Sequence, residues 1–280
     1  MIVVSLFDGM SCGQLALERA GVSYSGYMAS EIDRWAIQVC RHNFPATVHL
    51  GDVTALSSND LPRPDLLIGG SPCQGFSYAG KMRQFDDPRS RLFFEYVRLL
   101  EELQPRWFLL ENVVMPKDSQ DIISGHLGVQ PVCINSSLVS AQNRNRLYWT
   151  NIPVSVPIDR GLRFGDIREH GVPERYYYTD KAMQWLKKES ERTGKALRVW
   201  SDSDKVQMLE ASMYKKYSSQ RFFGIPDTNG LRYITPTECE RAQTVPDGYT
   251  STVSDTQRYK MLGNGWTVEV IAHIFRGLNS

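Results

Sequence analysis

A cysteine in a tight loop and an acid at the end of a later strand are the residues best suited to covalent chemistry. Cys73 lies in the segment Gly69-Gly-Ser-Pro-Cys-Gln-Gly-Phe-Ser77, whose glycines and proline predict a well-defined loop. Glu111 opens a Glu-Asn-Val segment that ends another predicted strand. A thiolate could add to a substrate while a buried, protonated carboxyl group protonates the same substrate. The pair therefore predicts nucleophilic catalysis with acid assistance.

The remaining cysteines have a different prediction, because an unpaired cysteine is most often buried and inert. They are Cys12, Cys40, Cys133 and Cys239. None of the five cysteines forms a C-x-x-C pair, so neither a disulfide framework nor a structural zinc site is expected. For Glu111 a surface ion pair is the alternative to catalysis.

Polar residues alternate in the segment from 140 to 149. Gln142, Arg144 and Arg146 would share one face of a predicted strand, because side chains alternate between faces with a period of two. Two arginines on one face could hold a phosphate and a carbonyl oxygen of a bound base. Ordinary salt bridges within a sheet are the alternative.

A glycine turn follows the first predicted strand, and an acid ends each of the next two. Gly9 and Gly13 would let a ligand approach the main chain closely. Glu31, about twenty residues on, occupies the place where dinucleotide-binding folds put an acid on the ribose. Asp52 could accept a hydrogen bond from an adenine amino group. The G-x-G-x-x-G fingerprint is missing, which argues against NAD, so the pattern predicts another nucleoside-containing cofactor.

Strands and helices alternate in the first part of the chain. The predicted strands cover 2–7, 25–30, 47–50, 65–68 and 107–110, and the helices 14–20, 34–43 and 90–103. Further helices are predicted over 181–192, 237–244 and 267–277. This alternation predicts an α/β fold with a Rossmann-like, doubly wound, mostly parallel sheet and a small additional lobe. Ligands of such sheets bind beyond the carboxyl ends of the strands.

Composition indicates a soluble globular protein. The 280 residues are 41% hydrophobic and 22% charged, and no apolar run is long enough to span a membrane. The first residues lack the basic start of a signal peptide, so a cytoplasmic or nuclear location is expected. The net charge of +1 hides an asymmetry, because residues 154–232 carry 15 Lys and Arg against 11 Asp and Glu.

The order of the motifs resembles that of the cytosine-5 DNA methyltransferases, which use S-adenosylmethionine. Pro-Cys at 72–73, Glu-Asn-Val at 111–113, Gln-x-Arg-x-Arg at 142–146 and Gly-Asn at 263–264 occur in the family's order. The resemblance implies methylation of a cytosine that is flipped out of double-stranded DNA. It implies that Cys73 attacks C6, that Glu111 protonates N3 and that C5 receives the methyl group.

The resemblance also assigns roles to further residues and segments. The implied catalytic residues are Cys73, Glu111, Arg144 and Arg146. The implied S-adenosylmethionine contacts are Phe7, Asp8, Gly9, Met10, Gly13, Glu31, Ile32, Asp52, Val53, Pro72, Asn264 and Trp266. The implied domains are a catalytic, cofactor-binding domain at 1–153, a target-recognition region at 154–231 and a segment at 232–280 that returns to the catalytic domain. A structural motif after the recognition region contains Arg232, Glu238, Arg241 and Gln243.

Two features of the resemblance concern subgroup and partners. Trp266 replaces the small aliphatic residue of bacterial enzymes and is similar to the animal de novo subgroup, as are segments 91–96 and 111–114. Within the recognition region the basic residues that could contact DNA, or simply be solvated, are Arg175, Lys187, Lys188, Lys215, Lys216 and Arg221. A cognate restriction endonuclease is a further candidate partner.

Three other functions remain open from the sequence. A lineage of the same family modifies tRNA, but its Cys-Phe-Thr tripeptide is missing here. A catalytically dead regulator would not need to keep Cys73, Glu111 and the cofactor-site acids. A redox or dehydrogenase enzyme could use the same sheet, since a fold does not determine function. The missing phosphate fingerprint and the missing C-x-x-C pair argue against that third function.

Overall fold

A computed structural model describes residues 1–71, 91–216 and 223–279 in two compact units. The first unit comprises residues 1–135, 145–157 and 268–280, and the second comprises 136–144 and 158–267. Within the described ranges no helix has the length and apolar composition needed to cross a membrane.

Seven strands, all within the described residues, form the sheet of the first unit. They are β1 (Ile2–Leu6), β2 (Gly26–Ser30), β3 (Val48–His49), β4 (Leu66–Gly69), β5 (Trp107–Val113), β6 (Val132–Asn135) and β7 (Asn145–Thr150). Their spatial order is β3-β2-β1-β4-β5-β7-β6. The first five strands are parallel, while β7 runs antiparallel to both β5 and β6. The strand order reverses direction at β1, where doubly wound sheets bind their ligands.

The described residues of this unit include five helices. They are α1 (Cys12–Ala20), α2 (Arg34–Asn43), α3 (Arg91–Leu103), α4 (Lys117–Leu127) and, near the end of the chain, α9 (Val268–Phe275). Helix α9 packs against α1. Sheet and helices enclose an apolar core that includes Leu6, Phe93 and Trp149, each with no exposed surface. The predicted α/β fold with a mostly parallel sheet is confirmed.

The second unit has shorter elements. They are α5 (Phe164–Ile167), α6 (Asp180–Thr193), β8 (Arg198–Val199), β9 (Phe223–Asp227), β10 (Gly230–Arg232), α7 (Pro236–Ala242) and α8 (Asp255–Asn264). The three strands form a sheet in the order β10-β9-β8. Arg232, fully buried, donates to Asp227 on β9 and to Glu238 on α7. A buried charge needs such partners, so this ion-pair network holds β10 and α7 together.

The compact units divide the chain differently from the predicted domains. Residues 232–267 cluster with 158–231, whereas the sequence grouped them with the returning C-terminal segment. Arg232 explains this difference, because its ion pairs span residues 227 to 238 and leave no natural break at 231/232. The chain re-enters the first unit only at α9. The functional division into a recognition region and a returning segment stays a prediction.

Predicted helices agree with the observed ones to within a few residues, but one predicted strand does not. The prediction that Gln142, Arg144 and Arg146 lie on one strand is wrong, because β7 begins at Asn145. Residues 141–143 instead pair with Val206, through main-chain hydrogen bonds from Asn143 and to Ala141. Gln142 and Arg144 therefore belong to the second unit, and Arg146 to the first.

Candidate active site

The turn after β1 has an unusual main-chain conformation. Phe7, Gly9 and Ser11 have φ angles of 58°, 60° and 65°, in the left-handed region. For a residue other than glycine this region is strained by about 1–3 kcal/mol, and such strain is concentrated at ligand-binding sites. Phe7 and Ser11 are therefore held by their surroundings, and the turn is a rigid platform at the carboxyl end of β1.

Glu31 fixes this turn to the end of β2. Its Oε2 accepts a hydrogen bond from the Gly9 main-chain nitrogen at 2.8 Å. Its Oε1 accepts from the nitrogens of Ile32 and Asp33, each at 2.8 Å. A carboxylate has about four acceptor sites, so these three bonds orient it and leave capacity for a ligand hydroxyl. The glycine turn and Glu31 therefore lie together, and their contacts with a cofactor stay a prediction.

Further residues of the first unit are also predicted to contact the cofactor. Ser30 Oγ donates to the carbonyl oxygen of Gly51 at 2.8 Å, which places Asp52 beside the end of β2. Asp52 is exposed and caps a 3₁₀ turn by accepting from Thr54. Ile32 is 73% exposed, which is unusual for a large apolar side chain. The remaining three, all buried, are Met10, Gly13 and Val53.

Asp8 lies in a closed polar cluster that the sequence did not reveal. Its Oδ1 accepts from Tyr27 Oη at 2.7 Å and its Oδ2 from Ser11 Oγ at 2.8 Å. Burial raises the pKa of the Asp8 carboxyl to about 6, and the charge of Glu31 adds to the effect, although hydrogen bonds oppose it. Tyr27 is on β2, 19 residues from Asp8, so no local pattern could have identified it.

The raised pKa of Asp8 predicts a pH-dependent stability. Between about pH 4 and pH 6 the folded protein holds this proton, whereas the unfolded chain has released it. The stabilisation of the folded state by the bound proton is therefore lost as the pH rises through that range. Relative to Asp8→Asn, the wild type should lose roughly 1–3 kcal/mol of unfolding free energy between those pH values. Urea unfolding at both ends of the range measures this, with exposed Asp60→Asn as the control. Parallel pH profiles for wild type and Asp8→Asn would contradict it.

Glu111 and Arg146 face each other on β5 and β7. Arg146 Nε lies 2.9 Å from Glu111 Oε1, and the two side chains are only 9% and 11% exposed. Arg146 also donates to the Asn145 carbonyl oxygen at 2.8 Å. The antiparallel register places Arg146 opposite Val113, two residues beyond Glu111. The structure thus brings together an acid and a cation that the sequence predicted to act on one substrate.

The end of β5 is also connected to the end of β4. Leu110 is the register partner of Gly69, so Glu111 follows directly on the residue paired with the end of β4. Asn112 Nδ2 lies within hydrogen-bond distance of Ser71 O and Oγ, at 3.4 and 3.3 Å, and both residues are buried. Ser71 is the last described residue before Pro72 and Cys73. The predictions for Pro72 and Cys73 fall on residues 72–90, outside the described part of the chain.

Arg144 contacts main-chain carbonyl groups of the second unit. Its guanidinium donates to the carbonyl oxygens of Leu209, Gly263 and Gly265 at 3.0–3.1 Å, and it is 3% exposed. Because Gly263 and Gly265 flank Asn264, these bonds favour a positioning role for Arg144 at the end of α8. Its predicted part in catalysis stays a prediction.

Two glutamines complete the same network. Gln142 Nε2 donates to Gln243 Oε1 at 3.2 Å, and Leu209 N donates to Gln142 Oε1 at 2.9 Å. Gln243 Nε2 donates to the carbonyl oxygens of Leu262 and Gly265. Both glutamines are fully buried, so each unsatisfied amide group would cost about 1–3 kcal/mol. The end of α8, which carries Asn264 and leads to Trp266, is therefore rigidly held; Asn264 is exposed and Trp266 is partly buried.

Gly263 allows the end of α8 to lie against residues 210–211. A Cβ at this position would lie 2.1 Å from the Glu210 carbonyl carbon and 2.2 Å from the Ala211 nitrogen. Main chain cannot rotate away as a side chain could, so Gly263→Ala should destabilise the protein by about 3 kcal/mol in thermal or urea unfolding.

Gly125→Ala is the matched control for that substitution. Gly125 is in the interior of α4, and a Cβ there would meet nothing within 4 Å. Alanine should stabilise the protein at this position by about 0.5–1 kcal/mol, because it is the better helix former. Equal unfolding midpoints for the two variants would show that the segment at 210–211 can separate from Gly263 at little cost.

Comparisons with known proteins identify the family of this chain. A family model for C-5 cytosine-specific DNA methylases matches residues 1–122 and 132–280. The type II methyltransferase M1.ScrFI of Lactococcus lactis subsp. cremoris is 33% identical over 96% of this chain and 75% of its own length. M.NlaX, a type II methyltransferase of Neisseria lactamica, is 33% identical over 97% of this chain and 94% of its own.

A solved structure shows the same fold. A crystal structure of a triple mutant of DNMT2 from Spodoptera frugiperda aligns with 100% of this chain and 99% of its own, with a TM-score of 0.79. Its sequence identity is 21%, so this similarity concerns the architecture alone.

Proposed function

Because the chain belongs to the C-5 cytosine-specific DNA methylase family and is a DNA (cytosine-5)-methyltransferase, we propose that it flips the target cytosine out of the duplex and attacks it with Cys73. Sγ of Cys73 would form a bond to C6 while a proton is held at N3. The electron density then moves to C5, where the methyl group is accepted. Loss of the C5 proton to a base derived from solvent, departure of the thiolate and return of the N3 proton to Glu111 restore the aromatic ring.

The buried Glu111–Arg146 pair carries this proposal. A carboxyl group that holds a proton at N3 must be kept in one orientation, and the contact from Arg146 Nε to Glu111 Oε1 at 2.9 Å does this. A guanidinium presents five donors in a planar fork, a geometry suited to the base carbonyl O2 or the target phosphate. Base flipping costs a few kcal/mol of unstacking, which such contacts would offset.

Residues at the strand ends of the first unit fit S-adenosylmethionine, which supplies an electrophilic methyl group when it is bound. Glu31, oriented by three main-chain donors, would accept from the ribose hydroxyls. The exposed apolar side chain of Ile32 would cover a face of the adenine, and Asp52 would accept from its amino group. The main chain of the β1–α1 turn, with Phe7 and Gly9, would approach the amino-acid moiety. Asn264 and Trp266 of the second unit are further predicted contacts.

The hydrogen-bond contact between Asn112 and Ser71 supports the proposal that Cys73 lies near Glu111. Cys73 follows Ser71 by two residues, and Ser71 lies at the end of the strand next to Glu111. The reacting thiolate and the acid would then act on the same base.

Residues 154–231 are the proposed target-recognition region, and a cognate restriction endonuclease is a proposed biological partner. The region's excess of basic residues suits a polyanion. The proposal of an endonuclease partner is supported by the relatives M1.ScrFI and M.NlaX, both named type II methyltransferases.

The experiment uses purified protein, labelled S-adenosylmethionine and, in parallel, duplex DNA and bulk tRNA. Label in cytosine of DNA, at C5 and at one short consensus sequence, is the expected result. Label in tRNA alone would overturn the choice of substrate. A product methylated at N4 of cytosine would overturn the mechanism, because that position needs no attack at C6.

A further inference from the structure

Four cationic side chains of the second unit form cation–π contacts with tyrosine rings, and we call them the cation group: Arg175, Lys215, Lys216 and Lys260. Arg175 Cζ lies 4.7 Å from the ring centroid of Tyr176, and Lys216 Nζ lies 4.7 Å from that of Tyr233. The two rings pack edge to face with centroids 5.4 Å apart. Arg175 and Lys216 therefore lie over adjoining rings of one aromatic cluster.

The other two cations share a third ring. Lys260 Nζ lies 5.5 Å and Lys215 Nζ 6.0 Å from the ring centroid of Tyr214. Lys260 is on α8, and Lys215 ends the 3₁₀ turn Met213–Lys215, which packs against α8. Segments far apart in sequence thus bring two cations to one ring, an arrangement that an anion bound nearby would stabilise.

The cation group is poorly neutralised. Among the described residues none of its three lysines forms an ion pair, and Lys215 and Lys216 are exposed. Arg175, whose side chain is 64% exposed, lies 3.8 Å from Asp255. That carboxylate also accepts from Tyr176 at 2.7 Å and pairs with Arg258 at 3.5 Å, so it does not cancel the charge of the group.

The tyrosine rings contact the three lysines through their π faces and leave the ammonium hydrogen-bond donors available, whereas Arg175 also donates to Tyr176 Oη at 3.2 Å. A cation–π contact at an exposed site contributes about 0.5–1 kcal/mol and restricts a flexible lysine. A carboxylate partner, in contrast, would occupy the N–H groups. A phosphate oxygen can therefore bind donors whose positions are already restricted, which lowers the entropy lost on binding.

We propose that the cation group binds the phosphate backbone of the duplex that carries the target cytosine, an inference that rests on the proposed function. Several cations on separate segments suit a regular array of phosphates, which each DNA strand presents about every 3.4 Å along the axis. The surface extends beyond the predicted recognition region, because Lys260 lies outside residues 154–231. The structure also distinguishes among the basic residues that the sequence proposed as DNA contacts. Lys187 and Lys188 lie on α6 without a ring contact in the described residues, and Arg221 falls outside the described ranges.

The test is the salt dependence of DNA binding. Dissociation constants for one duplex are measured from about 50 to 300 mM salt for wild type and for Lys216→Ala/Lys260→Ala. The double variant should lower the slope of log K against log salt by about 2, because each lost phosphate contact removes about 0.9. Weakening should be similar for cognate and non-cognate duplexes, since phosphate contacts carry no sequence information. Binding of S-adenosylmethionine should stay at the wild-type value, and the free energy of unfolding should fall by no more than about 1–2 kcal/mol, the contribution of the two lost cation–π contacts.

Lys181→Ala/Lys195→Ala is the matched control, with the same charge change at two exposed positions of the same unit. It should keep the wild-type slope. The inference would be overturned by an unchanged salt slope in Lys216→Ala/Lys260→Ala, or by an equal decrease of the slope in the control. The proposed function would still stand in that case, provided that the wild type methylates DNA. A dependence on these lysines for tRNA but not for DNA would overturn the inference as well. Absence of any methyl transfer to DNA by the wild type would instead refute the proposed function.

Discussion

Cys73→Ala should reduce methyl transfer to DNA by about 10⁴-fold or more, because alanine cannot form the bond to C6. S-Adenosylmethionine binding should remain near the wild-type value, since the strand-end residues proposed to hold the cofactor are unchanged. The measurement combines turnover with trapping on duplex DNA that contains 5-fluorocytosine at the target. Without a C5 hydrogen to lose, that base should hold wild-type protein in a denaturant-resistant adduct, and Cys73→Ala should give none.

The matched control is Cys133→Ala. Cys133 is a free, exposed cysteine on β6. Its substitution should leave both turnover and adduct formation at wild-type values. Substantial turnover by Cys73→Ala would show that the proposed covalent mechanism is wrong, whether or not an adduct with DNA is detected.

Glu111→Gln should lower kcat by about 10²–10⁴-fold, because the amide cannot hold a transferable proton at N3. It has nearly the same shape and can still accept from Arg146, so the fold should survive. Stability should fall by about 1–3 kcal/mol, since the buried guanidinium loses its charged partner. Single-turnover rates with saturating DNA and cofactor, compared with urea unfolding, separate the two effects.

Glu238→Gln controls for the stability loss. Glu238 pairs with Arg232 at 2.7 Å, and neither side chain is exposed, so this variant also breaks a buried ion pair. It should lose stability without a comparable loss of kcat at temperatures well below its unfolding transition. If Glu238→Gln and Glu111→Gln lost kcat equally, the acid role of Glu111 would be refuted and a structural role would explain both.

Local sequence was sufficient to predict the elements of the first unit. Apolar runs and glycine turns alternate there, and the periodicity of a buried strand or helix is a property of neighbouring residues. The acids Glu31 and Asp52 could be identified because strands in a parallel sheet end at one edge. Local sequence failed at residues 140–144, where polar alternation resembled a strand. The partners that decide their conformation, at residues 206–209, are more than 60 positions away.

The sequence by itself determined the parallel sheet, the strand-end acids and the order of the catalytic motifs, because each depends on residue type and short spacing. Only the tertiary structure decided which of these residues meet. It paired Glu111 with Arg146, enclosed Asp8 with Tyr27, and directed Arg144 to the main chain around Asn264. It also brought Lys260 and Lys215 to the ring of Tyr214. The physical reason is that ion pairs, hydrogen bonds and ring contacts join residues by distance in space, which the separation along the chain does not reveal.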